Sequence, residues 1–261
     1  MIKISVIITS FNAKNYLDRS ITSFLAQDYE NKELLIIDGK SNDGSHEIIK
    51  KYHEANPELI NWIKDIDSGI SNARNIAVKH ATGDLIGFLG ADDVIHKNFL
   101  TEAVYYAGVN PKFDVMYFDG YGIAPYGSSF RKASDIAFTK RNLIKFSPIA
   151  GGECFYYKKH LFDKFSFNEK NKHTMDYEFN MAIVSSKEKY SFFGVAIPAI
   201  FNISDGTNIS NAMSLTQRAE TIAIQLKYTS CLTQKIKIIL RKPKFVLKNY
   251  KAIYNSLIKI S

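Results

Sequence analysis

Two adjacent aspartates, Asp92-Asp93, follow an apolar run and crowd negative charge into one loop. That is unfavourable unless a cation or solvent screens it. Hard divalent cations such as Mg²⁺ or Mn²⁺ take carboxylate oxygens and share phosphate oxygens with a substrate; the alternative is an acidic start to a helix over 98–107. Asp38 closes a second apolar run and precedes Gly39-Lys40-Ser41-Asn42-Asp43-Gly44-Ser45. An acid there can accept hydrogen bonds from a base N–H or a ribose hydroxyl, and the glycines permit close backbone approach. Asp43, in the same stretch, reads as a helix cap. Asp67-Ser68-Gly69 opens a helix bearing Arg74 and Asn75. It either caps that helix or supplies a second nucleotide ligand, with Arg74 available for phosphate. The histidines His46, His53, His80, His96, His160 and His173 form no HxxxH or HExxH pattern, and Cys154 and Cys231 no CxxC; the two cysteines read as reduced thiols.

These clusters need elements that deliver them to one place. Ile4–Thr9 is a β-branched run, and Asn12 can cap a helix whose residues Tyr16, Leu17, Ile21, Phe24 and Leu25 share one face. Further strands are expected at 34–37, 60–64 and 85–89, with a short helix after the first of these that turns Ile48, Ile49 and Tyr52 inward and a helix at 70–80. The alternation predicts an α/β fold, a Rossmann-like, mostly parallel sheet flanked by helices. Ligands bind such sheets outside the carboxyl ends of the strands, where Ser10-Phe11-Asn12, Asp38–Ser45, Asp65–Gly69 and Ala91-Asp92-Asp93 all fall. Beyond residue 100 the pattern predicts a strand at 115–118, a hairpin at 121–130, a helix at 177–186, one or two strands in 190–203 and a helix at 214–229. The aromatic stretches around Tyr117–Tyr126 and Phe155–Tyr157 either stack on sugar faces or fill a core.

Of the 261 residues 46% are hydrophobic and 23% charged, enough for one large domain with an appendage. The formal net charge of +8 is all accounted for by Gln234–Ser261, which holds eight cations and no acid. A basic tail on a neutral body argues against a nucleic-acid binder. No apolar run reaches membrane-spanning length and no secretory signal is visible, so the chain reads as cytoplasmic.

The stretch from Ile4 to Asp93 resembles the family 2 glycosyltransferases, which have a GT-A fold. The matching pieces are S-V-I-I-T-S-F-N (5–12), I-I-D-G-K-S-N-D-G-S (36–45), D-S-G-I-S-N-A-R-N (67–75) and A-T-G-D-L-I-G-F-L-G-A-D-D (81–93), in the family's order and spacing. The resemblance implies that Thr9 and Phe11 line the base, that Asp38 and Asp67 contact it, that Asp92 approaches the ribose or sugar, and that Asp93 holds the metal on the diphosphate. Asp84 is expected to be structural. K-H-T-M-D-Y-E-F (172–179) resembles the segment that supplies the catalytic base, commonly Glu-Asp; here Met175 replaces the Glu, Asp176 matches the Asp, and Glu178 is the reserve. P-I-A-G-G-E-C-F-Y-Y-K-K (148–159) resembles a segment often reading Pro-Ile-Cys-His-Gln, so Gly151-Gly152-Glu153 is a departure that puts the usual acceptor-side contacts in doubt. D-G-T-N-I-S (205–210) matches a Gly-rich segment past the base.

The implied reaction is inverting transfer of a sugar from a nucleotide-sugar donor, UDP-sugar by preference, to a hydroxyl of a glycan or lipid-linked glycan in bacterial surface-polysaccharide synthesis. A divalent cation, Mn²⁺ or Mg²⁺, neutralises the leaving diphosphate, and Asp176 takes the acceptor proton. The alternative is a non-catalytic, membrane-associated sugar-nucleotide-binding or interaction protein with a decayed site. A nucleotidyltransferase is disfavoured, since residues 9–14 contain no glycine. The expected organisation is a catalytic domain at 1–212, with a nucleotide-binding half at 1–100 and an acceptor-side half at 101–212, followed by C-terminal helices at 213–261. In 244–260 apolar residues recur at helical spacing among lysines. That amphipathic basic helix either lies on an anionic membrane, making the protein peripheral on the inner face of the cytoplasmic membrane, or packs on protein.

Overall fold

The computed structural model describes residues 1–64, 69–124, 127–146, 150–203 and 215–260. The chain runs β1 (Ile4–Ser10), α1 (Lys14–Leu25), β2 (Lys32–Asp38), α2 (Ser45–Ala55), β3 (Ile60–Ile63), α3 (Ile70–His80), β4 (Leu85–Gly90), β5 (Val94–Ile95) and α4 (Phe99–Val109). It continues with β6 (Val115–Ala124), β7 (Gly127–Arg131), α5 (Lys140–Phe146), β8 (Phe155–Lys158), α6 (Met175–Ser185), β9 (Phe192–Ile203), α7 (Leu215–Lys227), α8 (Leu232–Arg241) and α9 (Pro243–Ile260).

The strands form one sheet in the order β3-β2-β1-β4-β8-β6-β9-β5, with β7 on β6. Pairing is parallel from β3 to β4, and mixed beyond, where β8 runs antiparallel to both β4 and β6. β1 and β2 are buried on both faces, which is why they read as continuous β-branched runs instead of alternating ones. The chain leaves β1 toward β2 and β3, then returns to β4 on the other side. The carboxyl ends of β1 and β4 therefore flank a topological switch point. Thr9 stands opposite Gly90 and Ser10 opposite Asp38.

α1 buries Leu17, Ile21 and Phe24, as its spacing predicts. Asn12 does not cap it. Its φ is +51°, its side-chain oxygen accepts from Asn42 N at 3.0 Å, and its N–H donates to Ser41 Oγ at 2.8 Å. The helix start is instead met from the next loop, where Asp43 Oδ2 accepts from Lys14 N at 3.0 Å. Asp43 Oδ1 also accepts from Ser45 N at the start of α2, so one aspartate serves two helices. The expected hairpin is β6–β7. Tyr117, Phe118, Phe155, Tyr156 and Tyr157 are buried, so most of the described aromatic stretches fill the core.

At the far end, α7 packs on α9 and α8, with Ala219, Ile222, Ile238 and Ile253 in a small cluster of their own, while Ala223, Ile224 and Ile260 join the main core. The boundary expected at 212/213 lies outside the described residues. Among the described residues, no helix is long and apolar enough to cross a membrane.

Candidate active site

The loop carrying Asp92-Asp93 is held by the polar face of α1. Arg19 donates to Asp92 O at 2.6 Å, Ser20 Oγ to Gly90 O at 3.0 Å, and Ile95 N to Ser23 Oγ at 3.1 Å. Gln27, just past the helix, bonds His96 O and Leu100 N. Asp93 is 1% exposed, and Asp92 is half-buried. The two carboxylates converge over Gly90: a Cβ there would lie 2.5 Å from Asp93 Oδ2 and 2.9 Å from Asp92 Oδ1. Only glycine leaves that point open. Two hard oxygens around one point suit Mg²⁺ or Mn²⁺. Among the described residues no group of three or more His, Cys, Asp or Glu could hold a metal.

Asp38 is 0% exposed. Its carboxylate accepts from Ser41 N at 2.9 Å, Ser41 Oγ at 2.7 Å and His46 Nε2 at 2.7 Å. With no surface of its own, it fixes the 38–46 loop instead of facing a ligand in this conformation. Thr9 is half-buried at the end of β1 and Phe11 is 66% exposed beside it. Asp67 and the 205–210 segment lie outside the described residues.

Arg74 is drawn inward. Its guanidinium sits 4.7 Å over Phe88 and 5.5 Å from Phe167, a cation–π seat, and it reaches to within 3.7 Å of Glu153 Oε1. The rest of α3 holds the loop ahead of α6. Asn75 Nδ2 donates to Phe167 O at 2.9 Å, Asn75 Oδ1 accepts from Phe167 N at 2.8 Å, and Ser71 Oγ donates to Asn171 O at 2.8 Å. Asn171 in turn accepts from Thr174 N at 3.0 Å and so fixes the start of α6, whose second residue is Asp176.

Asp176 stands half-buried over Gly152. A Cβ on Gly152 would come 2.5 Å from Asp176 Oδ2. Glu178 faces elsewhere, because residues two apart on a helix point to different sides. It is buried among Asn168, Asn171 at 2.9 Å and Lys227 at 3.1 Å, a structural anchor for α7, and not a reserve base. Met175 is buried in the core.

Glu153 belongs to the same site, although nothing in its sequence neighbourhood names it beyond an acid after two glycines. Burial pushes its carboxyl above the usual range, Arg74 opposes that, and Asp176 and Asp92 add to it. The acids of β4's end and of α6 are therefore electrostatic neighbours through Glu153. His173 lies beside Glu220, whose carboxyl burial raises and His173 lowers.

The model of the glycosyl transferase family 2 matches residues 5–174. An uncharacterised glycosyltransferase of Nostoc sp. is 41% identical over 92 residues, covering 35% of this chain and 29% of the relative. The poly(ribitol-phosphate) β-N-acetylglucosaminyltransferase TarP of Staphylococcus aureus is 31% identical over 206 residues, covering 73% of this chain and 60% of the relative. The chain thus spans less than two thirds of either relative's length. The crystal structure of S. aureus TarS 1–349 in complex with UDP-GlcNAc superposes with a TM-score of 0.74 at 18% identity, over 99% of this chain and 82% of that one.

Proposed function

The chain belongs to glycosyl transferase family 2, a glycosyltransferase with the GT-A fold, and from that premise we propose its reaction. It moves a sugar from a nucleotide-sugar donor, UDP-sugar by preference, to a hydroxyl of a glycan or lipid-linked glycan, with inversion, in bacterial surface-polysaccharide synthesis. The observation that carries this reading is the paired convergence of carboxylates over glycines: Asp92 and Asp93 over Gly90, Asp176 over Gly152. One pair suits a diphosphate-bound cation, and the other acid is free of the crowding that would block an incoming hydroxyl.

In this mechanism Asp93, with Asp92, would hold Mn²⁺ or Mg²⁺. When bound, the cation supplies charge neutralisation for the departing diphosphate. Asp176 accepts the proton of the acceptor hydroxyl as its oxygen bonds to the anomeric carbon. The bond from that carbon to the diphosphate oxygen breaks on the opposite face, and the nucleoside diphosphate leaves. A single displacement needs no covalent intermediate and inverts the centre. Thr9 and Phe11 border the base, together with Asp67. Asp38 acts on the nucleotide through the 38–46 loop it holds, and Arg74 acts through Glu153.

The test is binding and hydrolysis of UDP-, GDP- and dTDP-sugars with Mn²⁺, Mg²⁺ or EDTA, on wild type, Asp93→Ala and Asp176→Ala. Metal-dependent binding of one nucleotide class is expected. Asp93→Ala abolishes it, and Asp176→Ala keeps binding but stops turnover. Binding to none of these donors under any metal condition overturns the reading, and binding without turnover by wild type favours the non-catalytic alternative.

The tail adds a surface. α9 turns Ile253 and Ile260 inward and leaves Leu247, Tyr250, Tyr254 and Ile258 exposed, while α8 exposes Leu232, Ile236 and Leu240. Eight cations lie among them, each worth about 1 kcal/mol near an anionic bilayer. This supports peripheral attachment to the inner face of the cytoplasmic membrane. Full-length protein is expected to float with phosphatidylglycerol vesicles at low salt and not with phosphatidylcholine vesicles. Leu240→Glu combined with Leu247→Glu should abolish flotation, and equal flotation with both lipids would rule out the electrostatic part.

A further inference from the structure

Between the two ends of the proposed reaction lies a carboxyl group that neither end uses. Glu153 sits in the short turn Gly152–Cys154 ahead of β8. It is electrostatically coupled to Asp92, on the leaving-group side, and to Asp176, on the side of the incoming hydroxyl. Arg74 Nη2, at 3.7 Å, is beyond hydrogen-bond length and is itself held by Phe88 and Phe167. The glutamate side chain keeps 22% exposure. A Cβ on Gly151 would approach its Oε2 to 3.2 Å, while one on Gly152 would strike Asp176. Two side-chain-free positions therefore form a floor from which Glu153 and Asp176 rise together.

In-line displacement fixes what occupies the space between. The leaving diphosphate and the attacking hydroxyl stand on opposite faces of one carbon, so the ring that carries this carbon lies between the Asp92 side and Asp176. Glu153 is met by its own backbone N–H, and a partly desolvated carboxylate among like charges gains from every further hydrogen-bond donor that reaches it. Sugar hydroxyls are such donors. We propose that Glu153 accepts hydrogen bonds from hydroxyl or amide N–H groups of the transferred sugar, and so selects which donor sugar the enzyme uses. It favours neutral sugars and repels those that carry a carboxylate of their own. The proposal rests on the glycosyltransferase reading above.

The experiment uses the full chain with Mn²⁺ and compares wild type with Glu153→Gln. The probes are the free nucleoside diphosphate of the class that wild type binds and its hexose, N-acetylhexosamine and hexuronic acid conjugates. Glu153→Gln is expected to weaken the preferred neutral conjugate by about tenfold or more, to leave the free nucleoside diphosphate unchanged, and to narrow the gap between neutral and uronic conjugates. Glu153→Asp, which keeps the charge at shorter reach, should lose affinity for the neutral sugar yet still reject the uronic one. It also serves as the folded control, by melting temperature, should the glutamine variant unfold. Unchanged preferences in both variants overturn the proposal, as does equal loss of free nucleoside diphosphate and sugar conjugate, which would make Glu153 a structural prop for Arg74. If wild type binds no nucleotide sugar, the glycosyltransferase reading fails, and this assignment with it. If wild type binds and the variants keep its preferences, only this assignment fails.

Discussion

Both ends of the parallel strands carry acids, and the two ends treat them differently. At the amino end Glu33 accepts from Ser5 Oγ, Thr82 N and Thr82 Oγ1 and pairs with Lys3 at 3.1 Å, and Asp84 accepts from Lys3 N at 2.8 Å. A hollow of about 620 Å³ opens there, with Asp84, Lys158 and His160 on its wall. At the carboxyl end Asp92, Glu153 and Asp176 gather as like charges, and glycines keep the space above two of the acids clear. Acids supplied with donors from their own chain hold strands together. Acids grouped with each other instead raise one another's charge cost, as Asp92 and Asp176 do at Glu153, the arrangement on which the proposed function draws. Asp38 is the instructive exception: it lies at the carboxyl end but is filled by Ser41 and His46, as the amino-end acids are filled by their neighbours.

The comparison can be broken most sharply at Asp176. Asp176→Asn should lower sugar transfer by about 10²–10⁴-fold while donor binding, measured by titration, stays intact; a comparable loss at Glu33→Gln would erase the distinction between the ends. Next comes Gly152→Ala, whose new Cβ displaces the Asp176 carboxylate. A misplacement of this size should cost about 10²-fold in kcat, with KM for the donor little changed. Gly87→Ala tests packing alone. Its Cβ would meet the Tyr156 ring at 2.3 Å, and overpacking of this kind costs about 1–3 kcal/mol, read by denaturant unfolding. The smallest effect is at Glu33. Burial pushes its carboxyl up, but the bonds from Ser5, Thr82 and Lys3 outweigh that and hold it below the usual 4.5. Its contribution is thus complete above that value and is lost as pH falls through the folded one. Glu33→Gln should destabilise by about 0.5–1.5 kcal/mol at neutral pH, and the gap to wild type should close in acid.

The first hundred residues were legible because their strands are apolar runs and their polar loops fall at strand ends; Ile70–His80 is helical as its spacing says. β5 escaped notice because it is two residues long, and β8 because Phe-Tyr-Tyr-Lys shows no alternation while inserted between β4 and β6. α5 is short and basic, with little of it buried. Among the candidate site residues, Asp92 and Asp93 carry their own signal as an adjacent pair, and Asp176 stands out only through the resemblance of 172–179 to the family's base segment. Asn12 was misread because a capping residue type says nothing about its φ. At Glu178 and Arg74 the sequence shows a charge in a motif and packing supplies its neighbours: Lys227 for one, the Phe88 and Phe167 rings for the other. Glu153 is a lone acid whose meaning is set by residues far off in sequence, Arg74 and Asp176.

The pairing of Asn75 with Phe167 has an evolutionary consequence. Its amide reads the main chain of residue 167 and, with Asn72, the side chain of Glu169, while Ser71 reads the main chain of residue 171. Helix α3 therefore grips the loop ahead of α6 through its backbone at 167 and 171 and through the side chains of Phe167 and Glu169. Substitutions that spare residues 167 and 169 leave the clasp untouched, so the other side chains of this loop can drift, or be exchanged by grafting loops that keep those two residues, while α3 stays as it is.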